Sequence, residues 1–479
     1  MSRTDMGRKE VPIRVLHVLA NSRPDLNGYA IRSHDLLIAQ MNHESVEPFA
    51  ITSPWYPERR SMSKNMNIDE IEYQRCIHPA YLDSNKGLGL RWVAWRGKKK
   101  IPKEANGSSD GNVSEEKANL ALRVIVFAST PLRRILRMGN SWIEEKVLFK
   151  FFKKKLRETA LEIKPDVIHA HTPYRVGMPA MLVAKELGIP FVYEMRGIWE
   201  DTAVANGRWK EKGIAYKRFR RMENKVLKGA DRVFCISETL REEATSRGVN
   251  NDLISVVNNA VGNSISRNIK GRNIEGFNET QERLNKSKHS VVIGYIGSIQ
   301  PLEGLDLLAE SVAVLKERGK DLRFLIVSGN KGKKDFSEKC KLLGIEEISV
   351  ITGPFPPKDI GAFYQLIDIF GVCRPPGYRV TELVTPVKPF EAMYSGVPTI
   401  VSDLPALMEI VKHEVTGMNF VAGNVKSLAD NIERLIDDEE LRNRLSSNAI
   451  QWIEEERLWK KVVNYSINGY RELLGLDRA

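Results

Sequence analysis

Short apolar runs rich in Val and Ile alternate along the chain with longer stretches whose apolar positions recur every three or four residues. The continuous runs predict buried strands of parallel sheets, and the periodic stretches predict the helices that cover them. In the first half the runs are Arg14 to Ala20, Glu47 to Thr52, Asp166 to His171, Pro190 to Arg196, Asp231 to Ser237 and Ile254 to Asn258. From Gly262 to His289 the chain is dominated by Asn, Ser, Lys and Glu, lacks a hydrophobic period, and predicts a linker with a solvated loop. The pattern restarts with Val291 to Gly297, Leu322 to Ser328, Ser349 to Thr352, Ile369 to Cys373 and Thr399 to Ser402. The fold class is therefore α/β: two Rossmann-like doubly wound domains, one over residues 1–275 and one over 276–458, followed by a terminal helix over 459–479. Ligands of such sheets gather at the carboxyl ends of the strands, so two facing sheets define an interdomain cleft.

Length supports the same division, since 479 residues exceed what one core usually sustains. With 42% hydrophobic residues the chain has enough apolar surface for two cores, which excludes general disorder. Cys76, Cys235, Cys340 and Cys373 stand singly, without the close pairs of a zinc or redox motif, and read as buried thiols in a reducing compartment. A polar start from Met1 to Glu10, followed by an apolar strand too short for a signal peptide, points to a cytoplasmic protein, as does the lack of any apolar run near the roughly 18 residues of a membrane span. The net charge of +12 attracts polyanions or anionic lipid without specifying either. Much of the surplus lies in a basic insertion around residues 58–157, including Lys98, Lys99, Lys100, Arg133, Arg134 and Arg137.

Candidate chemistry sits where strands end. The first strand runs into a turn closed by Gly28, ahead of a helix from Tyr29 to Met41; a glycine there lets backbone approach an anion, and equally suits an ordinary turn. In Asp166 to His171 the period of two puts His169 and His171 on one face, with His171 at the cleft end as a functional candidate and His169 as a structural one. After Tyr193-Glu194-Met195, the residues Arg196, Glu200 and Asp201 either shape an acceptor surface or are merely solvated. The stretch from Cys373 to Met393 crosses a Pro- and Gly-containing loop and enters a helix near Pro389. It brings Arg374, Lys388, Glu382 and Glu391 toward one helix start. The two cations and the helix end suit a departing diphosphate, and Glu391 suits a ribose diol.

This series of motifs resembles the retaining glycosyltransferases of family 4, whose GT-B fold consists of two facing Rossmann-like domains. The resemblance runs through Asp166 to His171, Asp231 to Ser237, Asn258-Asn259-Ala260-Val261, Gly294 to Ser298, Phe324 to Gly329 and Lys388 to Asp403, and spares Glu58 to Glu145. Through His169-Ala170-His171-Thr172-Pro173, Trp199-Glu200-Asp201 and Thr385-Pro386-Val387-Lys388-Pro389 it is most similar to bacterial exopolysaccharide enzymes found beside exosortase systems. The resemblance implies a metal-independent hexosyl transfer with retention, from a UDP- or GDP-linked sugar to a glycan or polyprenyl-linked acceptor, with no cofactor. It assigns His171 and Glu382 to the transferred sugar, Gly28, Gly297 and Ser298 to the donor phosphates, Glu391 to the ribose, and the last helix to a return onto the amino-terminal domain. Two departures stand out. Glu382 and Glu391 are one residue further apart than the family's glutamate pair, and Ser298 and Glu303 stand where the family has Arg and Lys, leaving Arg374 and Lys388 to carry the positive charge.

The mixture of apolar and cationic residues from Leu120 to Arg137 suits an anionic membrane face, or a helix packed on the domain. An epimerase of the same fold and a basic nucleic-acid-binding protein are the rival readings. The second lacks a stacking motif or recognised module, so no nucleic acid partner is expected.

Overall fold

The computed structural model describes residues 11–25, 27–55, 65–78, 130–262, 265, 274–329 and 331–476, with side chains in the helix Thr130–Ile163 described from Ile143 onward. The first domain is built on β1 (Ile13–Leu19), β2 (Val46–Thr52), β3 (Asn65–Ile68), β4 (Ile71–Arg75), β5 (Val167–His171), β6 (Phe191–Met195), β7 (Arg232–Cys235) and β8 (Ile254–Val256). They form one sheet in the order β3-β4-β2-β1-β5-β6-β7-β8, parallel except for the edge hairpin β3-β4. The second domain uses β9 (Val291–Ile296), β10 (Leu322–Val327), β11 (Ser349–Thr352), β12 (Ile369–Val372), β13 (Thr399–Ser402) and β14 (Met418–Phe420), in the all-parallel order β11-β10-β9-β12-β13-β14.

Central strands such as β5, β6 and β9 are buried at every position, as the continuous Val- and Ile-rich runs require of strands covered on both faces. Strand order reverses beside β1 in the first sheet and beside β9 in the second, and these switch points open the crevices in which open α/β sheets bind ligands.

Three strands lie outside the sequence reading. β3 is a half-exposed edge strand with Asn at two of its four positions, β4 alternates apolar Ile71 and Tyr73 with polar residues, and β14 has only three residues, so none offers a continuous apolar run. The solvated-loop reading of Gly262 to His289 needs correction, because Phe277–Leu284 is a helix that buries Thr280 and Leu284. The stretch from Cys373 to Met393 likewise holds a helical turn, Arg379–Leu383, where Pro375, Pro376 and Gly377 had suggested loop throughout.

Contacts between the domains are specific. The helix Trp459–Leu474 lies against the amino-terminal sheet, where Trp459, Val462, Ile467 and Tyr470 join the core of Ile13, Val15 and Val257. From the other side Val380, Leu383 and Val384 pack on the amino-terminal core. The Glu409 carboxylate accepts from the backbone N–H groups of Glu238 and Thr239 at 2.9 and 2.7 Å, satisfying orphan donors at the start of the helix Glu238–Ser246. Asn259 Nδ2 donates to the Thr385 carbonyl at 2.9 Å.

Candidate active site

On the carboxyl-terminal side, the loops after β9 and β12 converge on the helix Lys388–Tyr394. Lys388 Nζ lies 2.8 Å from Glu303 Oε1, and Arg374 Nη2 lies 3.8 Å from the same oxygen. Arg374 Nη1 also donates to the Val384 carbonyl at 2.7 Å, which fixes the guanidinium against the segment that leads to Lys388. Lys388 passes over the Tyr295 ring, its Nζ 5.2 Å from the centroid.

Two glycines make this packing feasible. Gly297 has φ +152°, and a β-carbon there would lie 2.4 Å from Lys388 Cε. Gly304 has φ +69°, and its β-carbon would meet the Cys373 carbonyl oxygen at 1.6 Å.

Electrostatics follow from the geometry. Burial alone would raise the Glu303 carboxyl, but Lys388 and Arg374 outweigh it and pull the group down to about 2. Burial lowers Lys388, and Glu303 counters that by favouring its charged form. Glu391 is raised by burial and accepts from the Tyr364 hydroxyl at 2.9 Å, a bond that favours its ionised form. The helix that carries Lys388 has seven residues, so the cationic character of this corner comes chiefly from its side chains and less from an extended helix dipole. Ser298 is exposed, and its carbonyl accepts from the Tyr295 hydroxyl at 3.4 Å. Glu382, on the helical turn Arg379–Leu383, accepts from the Gly377 N–H at 3.3 Å.

On the amino-terminal side, register assembles a buried polar cluster. β1 pairs His17 with His169, and β6 pairs Glu194 with His171. With the Gln40 amide donating to Ser466 Oγ and the Tyr470 hydroxyl, its oxygen accepts from His17 Nε2 at 2.7 Å. His17 Nδ1 shares a hydrogen bond with His171 Nε2 at 2.9 Å, and His171 Nδ1 faces Arg196 Nη2 at 2.6 Å. Glu194 also lies against this nitrogen and accepts from Arg196 Nε at 2.7 Å and Arg32 Nη2 at 2.6 Å. Burial drives His17 down to about 4 and lowers His171 and His169 as well, so the imidazoles are neutral. Burial would raise Glu194, but Arg196 and Arg32 prevail and keep it ionised.

Several expected site residues therefore have other surroundings. His171, expected at the cleft beside the sugar, is fully buried against His17, Glu194 and Arg196 and does not reach the open crevice. Glu200, an acceptor-side candidate, is also fully buried and pairs with Arg247 at 2.8 Å. Asp201 accepts from the Tyr216 hydroxyl at 3.1 Å and lies 3.5 Å from Arg379 Nε, where it ties the two domains together. Arg196 is spent on Glu194 and on Ser33 Oγ, the latter at 2.6 Å. Gly28 is exposed at the start of the helix Gly28–Met41, with open space before it, and the adjacent Asn27 side chain caps the helix through the Ala30 N–H at 2.9 Å.

Residues that the motifs did not single out include Arg32, His17 and Asp35. Burial raises Asp35 to about 7 against the pull of Arg23, and Glu391 across the cleft adds to the rise. Asp35 lies on the helix Gly28–Met41, and no motif in the sequence marked it. Among the described residues the three-ligand group that could hold a metal is His17, His169 and His171, with ligand atoms within 4.8 Å of one another. Two of the three rings are hydrogen-bonded to each other and Arg196 abuts the cluster, so the arrangement fits a proton-ordered network better than a cation site.

Family profiles match part of the first domain and most of the second. Residues 115–260 match "Glycosyl transferase 4-like domain", and residues 276–452 match "Glycosyl transferases group 1". The chain is a glycosyltransferase of the GT-B, family 4 type. It is 27% identical over 299 residues to the D-inositol 3-phosphate glycosyltransferase of Corynebacterium efficiens, covering 60% of this chain and 67% of that one. To a glycosyltransferase of Methanocaldococcus jannaschii it is 25% identical, covering 51% of this chain and 61% of that protein. To the capsular polysaccharide biosynthesis glycosyltransferase CapM of Staphylococcus aureus it is 25% identical, covering 61% and 73%. Among solved structures, the glycosyltransferase shares its fold with sucrose-phosphate synthase of Thermosynechococcus elongatus, with TM-score 0.66, 13% identity and coverage of 97% of this chain and all of that one. The Anabaena HepE protein in complex with UDP matches with TM-score 0.55 and 17% identity, over 67% of this chain and 82% of that one.

Proposed function

We propose that the enzyme transfers a hexose from a UDP- or GDP-linked donor to a glycan or polyprenyl-linked acceptor in cell-surface polysaccharide synthesis, at the cytoplasmic face of a membrane. The observation that carries the donor assignment is the convergence of Lys388 and Arg374 on one buried carboxylate beside Glu391, at the strand ends of the second sheet. The named activity of CapM and the UDP bound by HepE support the pathway and the donor class.

In this reading Lys388 and Arg374 take the charge of the departing diphosphate, and Glu391 holds the ribose diol. Gly297, Ser298 and Gly28 leave room for backbone to approach the phosphates, and Glu382 lies at the sugar. The bond from the anomeric carbon to the diphosphate oxygen breaks as the acceptor oxygen bonds to the same face. The acceptor proton passes to the leaving diphosphate. Side-chain cations perform the neutralisation, so transfer proceeds without a metal ion.

The test is incubation with a panel of nucleotide sugars and a polyprenyl-phosphate-linked acceptor, with and without EDTA, followed by NMR of the product's anomeric centre. One donor consumed equally in EDTA, with retained configuration, is the expected result. Inverted product, or turnover that stops in EDTA, contradicts the mechanism.

A further inference from the structure

The helix Ile214–Lys228 carries a charge pattern that the transfer reaction does not use. Its inner side buries Tyr216, Phe219, Glu223, Val226 and Leu227. Two flanking arginines are also spoken for: Arg218 Nη2 lies 2.7 Å from Glu145, and Arg220 Nη2 lies 3.2 Å from Glu243. The outer side reads Ile214, Lys217, Arg221, Lys225 and Lys228, each three or four residues from the last, which aligns them in one stripe about 20 Å long.

All four of these cations are exposed, and among the described residues no carboxylate lies within ion-pair distance of any of them. They border an open groove of about 690 Å³ whose lining, among the described residues, holds no acidic side chain. Like charges at i, i+4 repel one another, and although the helix dipole favours Lys225 and Lys228 in the last turn, it gives nothing to Lys217 or Arg221. At the head of the stripe Ile214 is 70% exposed.

We infer that this stripe docks the amino-terminal domain on an anionic lipid bilayer, with the four cations among the headgroup phosphates and Ile214 at the acyl boundary. A straight row of long, flexible cations matches a planar field of phosphates, and an exposed aliphatic side chain matches the interface below it. The stripe has no exposed aromatic residue on which a nucleic-acid base would stack. The inference rests on the membrane-face part of the proposed function and is independent of the donor assignment, because none of these residues belongs to the candidate donor site.

The test is co-sedimentation of the full chain with vesicles of phosphatidylcholine alone or containing about 30% phosphatidylglycerol, at about 0.1 M and 1 M NaCl. The comparison variant is K217E/R221E/K225E/K228E, with Tm as the control for folding. The wild type should bind only the anionic vesicles and leave them in high salt, and the variant should lose at least about a hundredfold in partitioning with Tm unchanged. Equal binding by wild type and variant overturns the inference, as does wild-type binding to heparin or an oligonucleotide without binding to the vesicles. If the fourfold change unfolds the chain, Lys217→Gln with Arg221→Gln serves in its place, and an unchanged partition coefficient is then the contradicting result.

Discussion

At the scale of single residues, the corner around Glu303 decides how the donor site is charged. Lys388→Met leaves the Glu303 carboxylate with Arg374 at 3.8 Å and the Tyr295 hydroxyl, and removing one partner of a buried ion pair typically costs about 3 kcal/mol. The expected result is a lower Tm together with weaker nucleotide binding. Because Glu303 is depressed to about 2, its pairing stabilises the fold above the ordinary carboxylate range and loses that contribution as pH falls from about 4.5 toward 2. Glu303→Gln should therefore flatten the acid limb of a denaturation-against-pH curve, and an unchanged limb would contradict the pairing. His17 works in a higher window. Its proton is bound near 6.5 in the unfolded chain but only near 4 when buried, so acidification from 6.5 to 4 favours unfolding by about 3 kcal/mol. Raised Asp35 and Glu223 act oppositely as pH rises toward 7, so the measurable quantity is the difference between wild type and His17→Gln, which should grow across that window.

At the scale of elements, backbone geometry holds the loops of the candidate site. Gly304→Ala would place a methyl group on the Cys373 carbonyl and force a left-handed alanine, so a loss of at least about 2 kcal/mol by chemical denaturation is expected. A variant of wild-type stability would show that the loop is free to move away from β12. The continuous apolar runs made the central strands legible in sequence, because burial on both faces leaves no alternation to confuse them. The edge elements were not legible: β3 and β14 owe their pairing to neighbours already in place. The helix Phe277–Leu284 escaped notice because its polar majority hides the two buried positions. For the site, residue type and strand-end position pointed to Lys388, Arg374 and Glu391, but not to the occupation of both cations by Glu303. His171 and Glu200, which the same signals singled out, lie buried, and the partners on β1, β6 and the helix Ile214–Lys228 that surround them are distant in sequence.

At the scale of the whole molecule, the two domains meet through directional contacts that any closing or opening of the cleft must break. Arg379 reaches Asp201 and Glu243, and Glu409 caps the helix Glu238–Ser246. Glu409→Ala removes the cap without touching the cleft, and should raise the radius of gyration in solution scattering and raise KM for the donor more than it lowers kcat. Unchanged scattering and kinetics would show that the cap does not hold the domains. The central claim is that the carboxyl-terminal domain binds a nucleoside diphosphate through Lys388, Arg374 and Glu391. Calorimetric titration of UDP and GDP into wild type, Lys388→Met and Glu391→Ala tests it most directly. The account predicts binding of one nucleotide by the wild type and at least about tenfold weaker binding by each variant, a loss of about 1.4 kcal/mol or more. Binding of equal strength in all three proteins, or no binding by folded wild type, would contradict it.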